Sequence, residues 1–203
     1  MKWFLLVVMG FLATSGLQAL TPESQALAGL GGVDRKIQVT AIDGKEVRPF
    51  ACAGASGGAA VVVFITTDCP IANRYAPEIE RIRADYEGKG VKMTLVHVNP
   101  DLTNEAAGKH AAEYALKAEV VIDRKHRLVD AAGAKVTPEA FVIDGAGQIR
   151  YRGRINDQFA DFGDQRREAK TNDLRDAITA VLEGRPVKRA VTEAIGCFIS
   201  PLR

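Results

Sequence analysis

Residues 61–65, Val-Val-Val-Phe-Ile, constrain the chain more than any other stretch. Consecutive β-branched and aromatic residues leave no polar face, so the segment reads as a strand buried on both sides of a sheet. Thr66-Thr67-Asp68-Cys69-Pro70 interrupts it. From about residue 70 to 87 the apolar positions switch to helical spacing. Tyr75, Ile79, Ile82 and Tyr86 form one stripe, with Glu78, Glu80, Arg81, Arg83 and Asp85 around it. Cys69 is thereby delivered where a buried strand meets a helix N-terminus. There the unpaired N–H groups and the positive end of the helix dipole favour the thiolate, which is the nucleophilic form. The neighbouring Asp68 opposes this, because a second anion disfavours a thiolate, unless its side chain turns to solvent or caps the helix.

The flanking chain supplies the rest of an α/β layer structure. Gly88-Lys89-Gly90 ends the helix, and Val91 to Val98 is the next strand, so strand, helix and strand make a βαβ unit with a parallel pair. Asn99-Pro100-Asp101 stops that strand. A second helix is expected from Asn104 to Leu116, capped by Thr103 or Asn104, with Ala106, Ala107, His110, Ala111 and Tyr114 on its better stripe. Val120 to Asp123 reads as a short edge strand and Leu128 to Ala134 as a short helix. Phe141-Val142-Ile143, Gly145-Ala146-Gly147 and Gln148 to Arg152 read as a hairpin. Residues 155–172 are polar and carry both charges, which predicts a surface excursion. A closing helix over Leu174–Leu182 points Leu174, Ile178, Val181 and Leu182 inward and ends at Gly184. Upstream, Ile37 to Ile42 alternates as a half-exposed strand, Asp43-Gly44-Lys45-Glu46 is a turn, and Val47 with Pro49-Phe50 is a possible short return. Ala53 to Gly58 is a small-residue loop.

The strand, the Thr66-Thr67-Asp68-Cys69-Pro70 turn and Pro77 eight residues after Cys69 resemble the thioredoxin-like superfamily, and within it the redoxin (alkyl hydroperoxide reductase/thiol-specific antioxidant) type. The resemblance implies a three-layer α/β fold: a central mixed sheet with helices on both faces, an N-terminal β-hairpin extension and a C-terminal tail. It implies that Pro77 kinks the active-site helix. It further implies that the Thr137-Pro138 peptide is cis, faces Cys69 and borders a groove for an extended substrate strand. Two residues depart from the pattern. Ala72 stands where the second cysteine of Cys-x-x-Cys would be, and Val62 stands where the peroxiredoxin pattern has proline, although Thr66 fits that pattern.

A dithiol cycle needs a second sulfur. The other cysteines are Cys52 and Cys197, and a resolving cysteine near the C-terminus is an arrangement known among redoxins. The resemblance therefore implies Cys69 as nucleophile, Cys197 as its resolving thiol with Cys52 as the alternative, and a substrate contact at Thr137 and Pro138. It gives Thr66 a role in placing a peroxide, with an arginine among Arg74, Arg150, Arg152 and Arg154 beside the sulfur. The substrates expected are a protein thiol or disulfide, or a peroxide, with an external thiol as electron donor and no cofactor. The contrasting expectation is a non-catalytic scaffold that holds a partner or a metal. Only one cysteine lies in the active-site loop, which argues against a Cys/His metal site, and His110 and His126 are expected to be solvated.

Residues 1–19 are read separately. Lys2, an apolar run of about 11 residues from Trp3, and a small-residue exit at Ala19 have the layout of a cleavable secretory signal; the run is short of the roughly 20 residues a membrane span needs. Export to the periplasm or beyond, where disulfides persist, is the expectation, with no stable membrane span after cleavage. The redoxin domain is placed at 34–184 and the tail carrying Cys197 at 185–203. With 27 Lys and Arg against 25 Asp and Glu, the net charge of +2 implies no field suited to nucleic acid.

Overall fold

A computed structural model describes residues 30–52, 58–161 and 163–202. The signal reading and most of the small-residue loop lie outside the described residues. Strand β3 (Ala59–Ile65) is buried at every position and is central in a five-stranded sheet. The order is β5-β4-β3-β7-β8, with β4 (Val91–His97) and β5 (Glu119–Ile122) parallel to it and β7 (Glu139–Asp144) antiparallel; β8 (Ile149–Gly153) pairs antiparallel with β7. A short hairpin, β1 (Val39–Thr40) with β2 (Glu46–Val47), precedes the sheet, around the predicted turn.

The two-residue alternation of β3 divides the core. Val61, Val63 and Ile65 pack on one side with Ile79 and Ile82 of helix α1 (Pro70–Tyr86), Ala107 of α2 (Asn104–Glu113) and Ile178 of α4 (Asp173–Leu182). Ala60, Val62 and Phe64 pack on the other with Phe50, Phe141 and Leu128 of α3 (Arg127–Ala132). Helices cover both faces, as the fold class requires, and each fully buried Ile or Leu contributes on the order of 1.5–3 kcal/mol. Arg175 on α4 reaches Glu78 (2.8 Å) and Asp85 (2.6 Å) on α1, which fixes the two helices against each other.

Several local expectations are corrected. Helix α2 ends at Glu113 rather than Leu116, because Ala115 takes a left-handed φ of 54°. Thr103 is its cap, accepting the Ala106 N–H at 3.1 Å, and Ala106 is exposed. His110 and His126 are buried, not solvated. His126 Nε2 lies 2.8 Å from the Val98 carbonyl, and the His110 ring packs edge-on to His97 and tilted against Tyr114. The polar stretch 155–172 is no plain surface excursion. It carries the pair β9 (Phe159–Asp161) and β10 (Asp164–Gln165), and it buries Phe159 against Tyr75 together with Asn156 and Asp157. The sequence pattern misses this because Asp157 satisfies its charge internally, accepting the Lys170 and Thr171 N–H groups and the Arg166 guanidinium.

Candidate active site

Cys69 is the N-cap of α1, with extended backbone (φ −85°, ψ 110°), and Pro70 fills the first helical position, where a missing N–H costs nothing. The Ala72 N–H points at the Cys69 Sγ (3.5 Å). In its protonated form the thiol donates to the Thr137 carbonyl at 2.9 Å. Thr137 belongs to β6 (Val136–Thr137), and the Thr137–Pro138 peptide is cis. Antiparallel to β6 lies β11 (Cys197–Phe198), the end of the tail, with Cys197 opposite Thr137 and Phe198 opposite Val136. Cys69, Thr137, Pro138 and Cys197 thus come together around one sulfur.

The tail is brought there in two stages. Backbone bonds join Arg152 N–H to the Ala190 carbonyl (2.9 Å) and Thr192 N–H to the Arg152 carbonyl (3.1 Å). The Thr192 hydroxyl takes the Arg154 N–H and bonds to the Tyr151 hydroxyl. Farther on, Ile199 N–H donates to the Lys135 carbonyl at 2.9 Å. Two glycines permit this docking: a Cβ on Gly153 would sit 2.2 Å from the Thr192 hydroxyl, and one on Gly196 would sit 2.1 Å from the Thr137 carbonyl oxygen.

The two sulfurs titrate in opposite directions. Burial pushes the Cys69 thiol up, but the Cys197 thiol, the N–H groups of Ala72 and Cys197 and the Thr137 hydroxyl favour its thiolate, and its pKa falls below the ordinary value. Burial, the adjacent Cys69 and the nearby Asp68 carboxylate push Cys197 up to about 12. The thiolate is thus favoured at Cys69 and disfavoured at Cys197. Asp68 is exposed and accepts from the Thr66 hydroxyl at 2.7 Å, so Thr66 is already engaged beside the sulfur. Arg74 bonds to Gln165, Arg150 to Asp144 and Arg154 to Asp173. Cys52 packs on the opposite face of the sheet from Cys69, its thiol 3.5 Å from the Ile143 carbonyl.

Three contributors went unread in the sequence. Asn73 donates to the Thr67 carbonyl (2.9 Å) and accepts from His110 Nε2 (2.9 Å), which ties the active-site turn to α2. His97, fully buried under that turn, has no hydrogen-bond partner among the described residues. The Glu139 carboxylate accepts the Lys135 N–H at 2.7 Å and shapes the approach to β6. Asn73 acts through His110, 37 residues away, and His97 meets the same ring across the fold, so nothing local marks these two; Glu139 acts four residues back, inside a stretch read only as a strand entry. Among the described residues no three of His, Cys, Asp or Glu gather as they would around a metal ion, and no helix is long and apolar enough to cross a membrane.

This sheet order, with a cysteine capping the helix after the central strand, defines a protein of the thioredoxin-like fold. The sequence pattern of the Redoxin family matches residues 35–165, well over half of the chain, and the chain belongs to that family. It is 31% identical over 87 residues to "Thiol-disulfide oxidoreductase ResA" of Halalkalibacterium halodurans, a match covering 42% of this chain and 48% of that protein. The chain therefore spans about half the length of that relative. An uncharacterized conserved protein from Geobacillus kaustophilus has a similar structure (TM-score 0.70, 25% identity, 85% of this chain and 93% of that one). So does a secreted Mycobacterium tuberculosis disulfide oxidoreductase homologous to E. coli DsbE, at fold level (TM-score 0.53, 17% identity, 71% of this chain and 96% of that one).

Proposed function

We propose that the protein is an exported thiol-disulfide oxidoreductase in which Cys69 attacks and Cys197 resolves. One observation carries the reading: Cys69 caps the helix with its sulfur 2.9 Å from the Thr137 carbonyl, and the tail strand seats Cys197 directly opposite that same Thr137. The Cys69 thiolate attacks one sulfur of a substrate disulfide and expels the other as a thiolate, forming a mixed disulfide. Cys197 gives up its proton to the expelled thiolate and attacks the Cys69 sulfur. The substrate's second sulfur then leaves as a thiolate, and the two electrons of the Cys69/Cys197 pair have passed to the substrate. An external dithiol returns the pair to the reduced state.

The signal-like leader at 1–19 supports export, and a redoxin domain over 34–184 followed by a tail supplying the second sulfur accounts for the chain's layout. A peroxide role has less support, since the Thr66 hydroxyl is engaged by Asp68 and Arg74, Arg150 and Arg154 have other partners. The test is trapping. With Cys197→Ser, a disulfide substrate should remain attached to Cys69 as a stable mixed disulfide detectable by its added mass. Release of substrate by this variant at the wild-type rate contradicts the assignment of Cys197.

A further inference from the structure

The acidic thiol and the accessible thiol of this site are different residues. Cys69 has 0% of its surface exposed, whereas Cys197 is only partly buried. The tail lies over this site: Cys197 sits opposite Thr137, whose carbonyl is 2.9 Å from the Cys69 sulfur, and Gly196 is pressed against the same Thr137 carbonyl. The same segment takes up the β6 edge, where Cys197 pairs with Thr137 and Phe198 with Val136. A backbone edge bonds one strand at a time, so an extended polypeptide can add to β6 only where the tail is not.

The two attachments of the tail differ in strength. Around Thr192 it is clamped by backbone bonds to Arg152 and by its hydroxyl to Tyr151 and Arg154. Beyond Gly196 the hold is lighter: past the two-residue strand one backbone bond, from the Ile199 N–H to the Lys135 carbonyl at 2.9 Å, follows, and Cys197 and Ile199 are only partly buried. Strand β11 has two residues, the Thr137 hydroxyl reaches the Cys197 carbonyl only at 3.4 Å, and the Phe198 side chain is 84% exposed. Segments with few buried apolar contacts are the ones that open first. Gly196 sits at the seam, against the Thr137 backbone with no room for a Cβ.

We propose that residues 193–200 are a gate over Cys69, hinged at the Thr192 clamp, whose closed strand occupies the β6 edge that an extended polypeptide disulfide must use. The proposal rests on Cys69 as the nucleophile. Opening exposes the Cys69 sulfur and frees β6 for the substrate strand. The Cys69 thiolate then breaks the substrate disulfide, forms the mixed disulfide and expels the first substrate thiolate. Closing returns Cys197 to the Cys69 sulfur, where it displaces the second substrate thiolate and leaves the Cys69–Cys197 disulfide. The motion that shields the nucleophile also resolves the intermediate, so substrate release and groove reoccupation are one event. Reaction at Cys69 scales with the open fraction, and polypeptide substrates compete with a tethered occupant.

Alkylation of Cys69 by iodoacetamide reads the gate without any exchange partner. Three proteins, each with Cys52→Ser and without Cys197 so that one thiol remains, are compared across pH: the full chain with Cys197→Ser, the chain ended after Glu193, and the full chain with Cys197→Ser and Gly196→Ala. The plateau rate, reached once Cys69 is fully ionised, removes differences in thiolate fraction. Truncation and Gly196→Ala should each raise the plateau at least about tenfold. A synthetic peptide of residues 193–200, with serine in place of cysteine, should slow the truncated protein again. Gly196→Ala keeps the chain whole and decides the matter alone if truncation unfolds the protein. Plateau rates within about twofold of the full chain in the folded variants overturn the gate. A gated Cys69 in a protein that never exchanges disulfides would leave the gate standing and remove the oxidoreductase reading; exchange with an ungated Cys69 would do the reverse.

Discussion

The two sulfurs of the site come from regions held in opposite ways. Cys69 is fixed by its immediate neighbours: a strand buried at all seven positions, a proline at the first helical residue and the helix that follows. Cys197 is fixed by distant ones, Arg152, Tyr151 and Arg154 upstream of it and Lys135 and Thr137 beside it. The local region holds the sulfur at a helix cap whose N–H groups favour the thiolate, and the docked tail adds to that through Cys197. The docked region sets pairing, because it alone brings a second sulfur to a fold that has Ala72 in the usual place. A dithiol site divided in this way can vary its partner and accessibility without rebuilding the nucleophile.

The largest expected effect breaks the comparison at the local side. Cys69→Ser should reduce disulfide exchange by about a thousandfold or more, since removing a nucleophile removes the covalent route. Cys197→Ala should instead move the pH profile of Cys69 alkylation upward, because the thiol that favours its charged form is gone. Residual exchange by Cys69→Ser at a rate close to wild type would transfer the nucleophile's role to the tail.

Acid should weaken the local region next. Burial, then the adjacent His110, lowers the His97 pKa from 6.5 to about 4. The unfolded chain therefore takes up a proton that the folded one refuses, and stability present above pH 6.5 is lost as pH falls toward about 4. The loss amounts to about 3 kcal/mol at full effect. Denaturant midpoints measured from pH 7 downward should fall steeply in the wild type and less so in His97→Phe; parallel curves would remove His97 from the account. On the docked side, Thr192→Val strips the hydroxyl shared by Tyr151 and Arg154 and should cost about 1–3 kcal/mol. It should slow resolution of a mixed disulfide more than its formation, and single-turnover kinetics separates the two. The smallest effect belongs to Cys52→Ser, which lies across the sheet and should leave exchange and the Cys69 titration within about twofold of wild type.

The local region was legible in the sequence and the docked region was legible only as a possibility. The apolar run at 61–65, the break at Cys69-Pro70 and the helical stripe Tyr75, Ile79 and Ile82 have short-range causes, so periodicity finds them. The hairpin around Gly145-Ala146-Gly147 is readable for the same reason. The tail's seat depends on what Gly153 and Gly196 leave empty, and a glycine does not announce which backbone will approach it. His110 and Asp157 look polar and therefore exposed; their burial is met by Asn73, 37 residues from His110, and by backbone N–H groups 13 and 14 residues from Asp157, which no short local window contains.

The most direct test is to oxidise the pure protein with a small disulfide, block the remaining thiols, digest it and identify the linked peptides by mass. The account predicts one internal bridge, Cys69 to Cys197, with Cys52 recovered as the blocked thiol. A bridge from Cys52 to either of the others, or Cys69 recovered as a free thiol after full oxidation, would contradict it.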